Sequence, residues 1–421
     1  METTADQKTF KQFLYLLFGQ QFSLLGSSVV QFVIIWWITI ETESPIFLSL
    51  AAVAGFAPLV IFAPFTGVFV DRWNRKSVIM VADFCQSLAT VGLIGLFWLN
   101  GVSVYVALGF LAVRGFFQAF HMPAVSAILP AMVPREKLIR INGLEYVLNG
   151  IVQLGGPVIA ALLLAFARID QVLWIDPITF IIAVATLLFV KIPSVKERIE
   201  KSSFKRDFNE GFSYIKRARG LVPLIFLATA LNFLIAPFST LLPYFVRFDH
   251  LGGVTDLALI TAVLQIGFLA GGTYMLLTNG FRKKVTAFVV SLIIALVGYA
   301  IISYTPVGLF WFMAVASLIF TIPVPIANVS ARTILQTVVP LGLQGRVTSV
   351  LISLASLASP LGMILSGVLA ATVGTSTLFL ACALIGILVT VVSWFLTEIR
   401  YVEQIHRDAP PPITQQSPGE D

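Results

Sequence analysis

Four polar stripes stand out in an otherwise apolar chain, and each has the spacing of one helix face. Gln20, Ser23, Ser27 and Gln31 recur at intervals of 3, 4 and 4, and Asn142, Glu145, Asn149 and Gln153 repeat those intervals. Arg114, Gln118 and His121 follow at 4 and 3, while Ser317, Thr321, Asn328 and Arg332 share a face of a later segment. Residues three and four apart stack along a helix, so each set can present amides, hydroxyls and a charge to one space. The chemistry this supports is reversible hydrogen bonding of a polar solute and movement of a proton, with no covalent step. Asn232 joins Gln20, Ser27, Gln31, Gln118, Asn149, Gln153, Thr321 and Asn328 as candidates for contact with a solute. Hydrogen bonding between helices is the structural alternative for any single one of them.

The elements that carry these stripes follow from composition. Of 421 residues, 58% are apolar and 11% charged, and the mean hydropathy is +0.94. Soluble proteins hold about 25% charged residues, so the solvent for most of this chain is lipid. Apolar stretches near 12–39, 46–70, 77–99, 103–130, 141–167, 171–192, 221–247, 255–279, 285–304, 307–335, 347–373 and 375–397 make twelve spans. Each is long enough to cross a hydrocarbon core of about 30 Å. The first lacks a short apolar region followed by a small-residue cleavage site, so it reads as a retained helix.

Lys and Arg fall in alternate loops and in both tails, with Arg168 and Arg247 alone in the others. By the positive-inside rule both termini and the long middle loop are expected to be cytoplasmic, and the net charge of +6 requires no nucleic acid. The middle loop, Lys191 to Gly220, holds nine Lys or Arg and divides the spans six and six. Its second part, Phe204 to Arg219, fits either an amphipathic helix on the anionic inner surface or a solvated tether. Residues 1–192 and 221–399 are expected to be two six-helix bundles, with a linker over 193–220 and a tail over 400–421. From Ala409 that tail, "APPPITQQSPGED", is Pro-rich and polar and is expected to be disordered. Cys85 and Cys382 both lie within spans.

The two halves are related. "VSAILPAMVPREKLIRI", Val125 to Ile141, aligns with "VSARTILQTVVPLGLQGRV", Val329 to Val347, and Pro134 and Arg140 match Pro340 and Arg346. Both copies sit between an inward and an outward span, so the repeat is parallel, about an axis along the membrane normal.

Charged residues inside lipid invite a functional reading. Arg114 lies about eleven residues into its span, where a charge costs at least ~2.5 kcal/mol. Glu145 is the first candidate for a proton carrier, since a carboxylate on such a stripe is neutralised by burial and recharged when wetted. His121 is second, or else a hydrogen-bonded structural histidine. Asp83 reads as a fixed partner for the loop cations, and Asp176 falls near the outer face beside Trp174.

The stretch "GVFVDRWNRK", Gly67 to Lys76, interrupts the apolar pattern with Asp71, Arg72, Arg75 and Lys76. Gly67 permits close helix approach, Asp71 can face the positive end of a neighbouring helix, and Arg75 can tie the loop to an acid. The stretch resembles the signature between the second and third helices of the major facilitator superfamily, G-x-x-x-D-R-x-x-R-[RK]. In that family the partner is the eleventh helix, here near Gly345, and the contact latches the bundles on the cytoplasmic side. "TNGFRKK", Thr278 to Lys284, keeps the cations in the second half but has no acid, so a weaker latch is expected there. "FLAVRGFFQAFHMPAVSAILPAMVP", Phe110 to Pro134, and "GGPVIAALL", Gly155 to Leu163, resemble the macrolide-efflux and enterobactin-exporter branch. Of the fifth-helix antiporter signature, Gly143, Gly156 and Pro157 match, while Val152 and Ala160 replace glycines. Small-residue packing with a Pro kink explains the same residues.

The resemblance implies an all-α membrane fold of twelve helices in two bundles, and Arg114 as the family's fourth-helix arginine, tied to proton coupling. No ATP-binding loop, metal-spaced cluster or nucleophile elbow occurs, so neither enzymatic activity nor a cofactor is expected and the energy source is an ion gradient. The expected function is proton-driven export of amphiphiles such as macrolide-like drugs or siderophores by a monomer in the cytoplasmic membrane. Trp36, Phe117 and Tyr146 are expected to add aromatic lining to its cavity. Symport uptake of a small metabolite or lipid, and a transport-inactive sensor or assembly factor, stay open.

Overall fold

In hydrocarbon every backbone N–H and C=O must bond within its own segment, which leaves the helix as the form an apolar stretch of this length can take. The computed structural model describes residues 4–190, 204–278 and 280–402. Its described residues contain twelve spans: Thr9–Thr42, Pro45–Phe62, Arg75–Trp98, Val104–Leu129, Arg140–Leu164, Ile169–Phe189, Leu221–Asp249, Val254–Leu277, Lys284–Ser303, Phe310–Val338, Gly342–Val373 and Thr375–Leu396. Local sequence sets several starts. Pro45 opens the second helix, where a missing N–H costs nothing. The Asn74 side chain accepts from the amides of Lys76 and Ser77 to open the third, and Ser103 caps the fourth.

Two spans are broken, which the hydropathy pattern does not reveal. The sixth consists of Ile169–Val172 and Ile175–Phe189, and the tenth of Phe310–Thr321 and Pro323–Val338. In the tenth, Pro323 supplies no amide to the preceding turn.

The spans assemble as two six-helix bundles with three hydrophobic cores. The largest runs through both bundles at the face far from the chain termini, uniting Trp37, Leu48 and Phe110 with Phe238, Leu241 and Phe379. At the face that carries the termini each bundle has its own core, one around Phe13, Ile79 and Ile128, the other around Leu224, Phe288 and Val347. The bundles therefore share one core at the far end and part between their separate cores at the other, where the fifth and eighth spans still touch at Tyr146 and Gly272. Contacts of the second span with the eleventh draw the seam at the joined end. The Ser49 and Ser366 hydroxyls lie 2.9 Å apart, and a Cβ on Gly367 would stand 2.8 Å from the Pro45 carbonyl oxygen.

The linker forms a helix, Phe204–Arg217. Its apolar face packs on the second bundle rather than lying free: Ile215 is buried in that bundle's core, with Phe208 and Tyr214 against it. The Tyr214 hydroxyl donates to the Val338 carbonyl at 3.1 Å, Glu210 pairs with Arg346, and Gly211 has no room for a Cβ against the Arg346 backbone. The rest of the expected linker, 193–203, and the tail from 403, with its expected disorder, lie outside the described residues.

Candidate functional site

Between the parted ends lies a cleft of two compartments, about 940 Å³ against the first bundle and about 890 Å³ against the second, sharing Ser239 and Met363 at their meeting point. The first bundle supplies a polar wall: Gln20, Ser27, Gln31, Gln118, Asn149 and Gln153 all line it, with Arg114, His121 and Glu145. The second supplies a wall of apolar side chains such as Leu224, Leu231 and Phe288, with Asn232, Asn328, Arg332, Gln336 and Gln344 among them.

Two buried networks stiffen the polar wall. In the deeper one, Arg114 of the fourth span reaches Asp176 of the sixth with nitrogen–oxygen distances of 3.0 and 3.4 Å. The same carboxylate accepts from Thr90 at 2.6 Å and from Ser27 at 2.9 Å, and Arg114 also donates to Thr90 at 3.0 Å. Four spans, the first, third, fourth and sixth, meet on one ion pair, which satisfies a charge that would otherwise be costly at this depth. Nearer the open end, His121 Nε2 lies 3.2 Å from Asp83 Oδ1 and 2.9 Å from Gln20 Oε1, and Gln20 Nε2 donates to Asp83 at 3.3 Å. Gln21 bonds Asn149 at 3.3 Å, tying the first span to the fifth.

Glu145 differs from the other wall acids. It is half-buried and makes no hydrogen bond or ion pair among the described residues. Arg114 and His121 were expected near it, but both are committed elsewhere, to Asp176 and to Asp83 with Gln20.

Several expectations are corrected by these contacts. Asp83 does not serve the loop cations. It lies two turns up the third span, and its partners are His121 and Gln20. Asp176 is not an outer-face residue: the break in the sixth span turns its carboxylate inward to Arg114, with 5% of the side chain exposed. Thr321 and Ser317 leave the cleft, both being buried and bonded to carbonyls one turn back. Thr321 fits instead against Gly267 of the eighth span. The break at Ile322 interrupts the stripe, so the cleft-facing set of the tenth span is Asn328, Arg332 and Gln336. Trp36, Phe117 and Tyr146 line neither compartment. Trp36 lies in the common core and Tyr146 faces Gly272 of the eighth span. Thr90 was missed, although Asp83, Gln86 and Thr90 carry the same 3, 4 spacing as the other stripes.

The sequence profile of the Major Facilitator Superfamily matches residues 16–362. The chain belongs to this superfamily. Macrolide efflux protein A of Streptococcus pyogenes is 29% identical over 388 residues, covering 91% of this chain and 96% of that protein. Multidrug efflux pump Tap of Mycolicibacterium fortuitum is 26% identical over 93% of this chain and 97% of the pump. Among solved structures, a bacterial homologue of the human lysosomal transporter Spinster, inward-facing and unoccupied, superposes with a TM-score of 0.65 at 15% identity, covering 98% of this chain and 100% of that one. A bacterial homologue of the iron transporter ferroportin in an inward-facing state gives 0.66 at 17% identity, with 91% and 98% covered. This major facilitator is a transporter, not an enzyme, and a multi-pass protein of the cell membrane.

The superfamily signature joins the second helix, Pro45–Arg72, to the third. The side chains of Gly67, Asp71 and Arg72 lie outside the described residues. Arg75 was expected to hold an acid, yet it donates to the Ala127 carbonyl at 2.9 Å. Lys76 donates to the carbonyls of Leu188 and Val190 at 3.1 and 2.8 Å. Lys76 thus caps the end of the sixth span, whose last carbonyls lack helical partners, whereas the carbonyl that Arg75 holds lies inside the fourth helix. On the fifth span, a Cβ at Gly156 would meet Ser28 Oγ at 2.1 Å, so this glycine sets the approach to the first span. Pro157 lies inside the same helix, and Gly143 faces open space.

Proposed function

We propose that this transporter exports amphiphilic small molecules by alternating access, exchanging them for protons, and that its parted face is the cytoplasmic one. The observation that carries this reading is the cleft itself: an amide-rich wall with a carboxylate that has no partner among the described residues, opposite a wall of apolar side chains that carries amides and Arg332, open at one end and sealed at the other. An amphiphile finds both hydrogen-bond partners and apolar surface in the cleft, on each of its two walls. The positive-inside loops support the orientation, and the two relatives named for macrolide and multidrug efflux support the substrate class. The protein acts as a monomer, because each of its two bundles supplies one wall of the cleft.

Glu145 is the proton carrier in this reading. It stands five residues from the start of its span, about 7.5 Å deep, where it is wet while the cleft is open and dry once the bundles close. Gln20, Asp83 and His121 form a separate hydrogen-bonded cluster on the same side of the cleft, and Arg114 with Asp176 holds the wall in place through the cycle. The test is efflux from vesicles under an imposed proton gradient. Inside-out vesicles should accumulate an amphiphilic dye when their interior is acid. Glu145→Gln should abolish that accumulation and preserve exchange at zero gradient of a dye that carries no cation. Dye leaving under the same gradient would instead mean symport, and a wild-type rate of uphill transport in Glu145→Gln would remove Glu145 from the coupling.

A further inference from the structure

Among the described residues the cleft holds four titratable or charged side chains, and two of them already have partners: Arg114 with Asp176 and His121 with Asp83. The other two, Glu145 on the fifth span and Arg332 on the tenth, face the cleft from opposite walls with no ion pair or hydrogen bond among the described residues. Their depths match. Glu145 is five residues in from Arg140 and Arg332 six in from Val338, about 7.5 and 9 Å from the same face. Arg332 is the one charged residue of the second compartment among the described residues, and Asn328 and Gln336, one turn either side of it, present amides to the same space. Leu224, Leu231, Phe288 and Leu351 line the rest.

We propose that Arg332 and Glu145 are the two poles of a site for a dipolar amphiphile. Arg332, with Asn328 and Gln336, takes an anionic group such as a carboxylate in a charge-assisted, bidentate contact. Glu145 takes a cationic group, and the apolar body lies against the leucines and phenylalanine of the second bundle. This rests on the export reading and narrows its substrate class. It also gives the exchange a physical basis, since Glu145 cannot hold a proton and pair with a substrate cation at once.

The probes are rhodamine B, which carries a carboxylate and a delocalised cation, and its ethyl ester, which keeps the cation and the body but loses the anion. Equilibrium binding to the purified full-length protein is measured beside transport in vesicles. Arg332→Gln is expected to weaken rhodamine B about tenfold or more while leaving the ester within about twofold, as loss of one charge-assisted contact predicts. Arg332→Lys should recover part of the loss, and Glu145→Gln should weaken both probes. Equal weakening of acid and ester by Arg332→Gln, or of neither, overturns the proposal. So does unchanged binding with transport of both probes lost, which would mean that Arg332 and Glu145 pair with each other when the cleft closes. Wild-type protein that binds both probes as expected but moves neither would leave the site standing and remove the export reading.

Discussion

Removing the Asp176 carboxylate is expected to unfold the first bundle more readily than removal of any loop charge. Asp176 accepts from Arg114 at 3.0 and 3.4 Å, from Thr90 at 2.6 Å and from Ser27 at 2.9 Å. The two charged side chains are 7% and 5% exposed. Asp176→Asn keeps the shape but strands the guanidinium in a low-dielectric wall and turns two N–H groups toward existing donors. Breaking a buried pair from one side costs about 3–5 kcal/mol, whereas replacing both partners by apolar residues of similar size is near neutral or stabilising by about 1–4 kcal/mol. Arg114→Met and Asp176→Leu together should therefore unfold later than either single variant, although two groups have been lost. The assay is a double-mutant cycle by reversible unfolding in mixed micelles, with transport measured in parallel. A single variant within about 0.5 kcal/mol of wild type, or a double variant no better than the sum of the singles, would refute the reasoning.

If Asp71 latches the cytoplasmic ends as the family resemblance implies, Asp71→Asn should weaken that latch by the value of a helix-terminus interaction, about 0.3–2 kcal/mol, and shift the population toward the inward-open state without unfolding. Crosslinking between the Asp71 loop and the region of Gly345 would fall, and unchanged crosslinking with full transport would reject the latch. With Cys85 and Cys382 replaced by Ala, Ser49→Cys and Ser366→Cys should oxidise to a crosslink across the joined seam, where the two hydroxyls lie 2.9 Å apart. Transport should then stop and return on reduction; transport through the crosslink would show that the seam does not open. Burial pushes the Tyr214 phenol above its ordinary value, so its contribution to linker docking is complete below the unfolded value of about 10 and lost as pH rises through the folded one. A spin label at Asn209→Cys should gain mobility in that range, and the same alkaline step in Tyr214→Phe would assign it to another group.

Local properties of the sequence were enough for the secondary structure and the membrane reading. Apolar runs long enough to span, Lys and Arg concentrated in alternate loops and the Pro134–Arg140 and Pro340–Arg346 echo are each written along the chain, because burial in lipid acts on one helix at a time. The 3, 4 spacing likewise placed Gln20, Ser27 and Gln31, and Glu145, Asn149 and Gln153, on the cleft, though Ser23 of the first stripe does not line it. Choice of partner was not legible. Arg114 and Asp176 are separated by 62 positions and Gln20 and His121 by 101, and which acid meets which base depends on how four helices pack, not on the depth of any one. The breaks at Leu173–Trp174 and at Ile322 re-aimed Asp176 and interrupted the stripe that would have carried Thr321 into the cleft. Arg332 and Glu145 stand out for the same reason: composition shows two charges, and only tertiary packing shows which charges have already been neutralised and which still face open space.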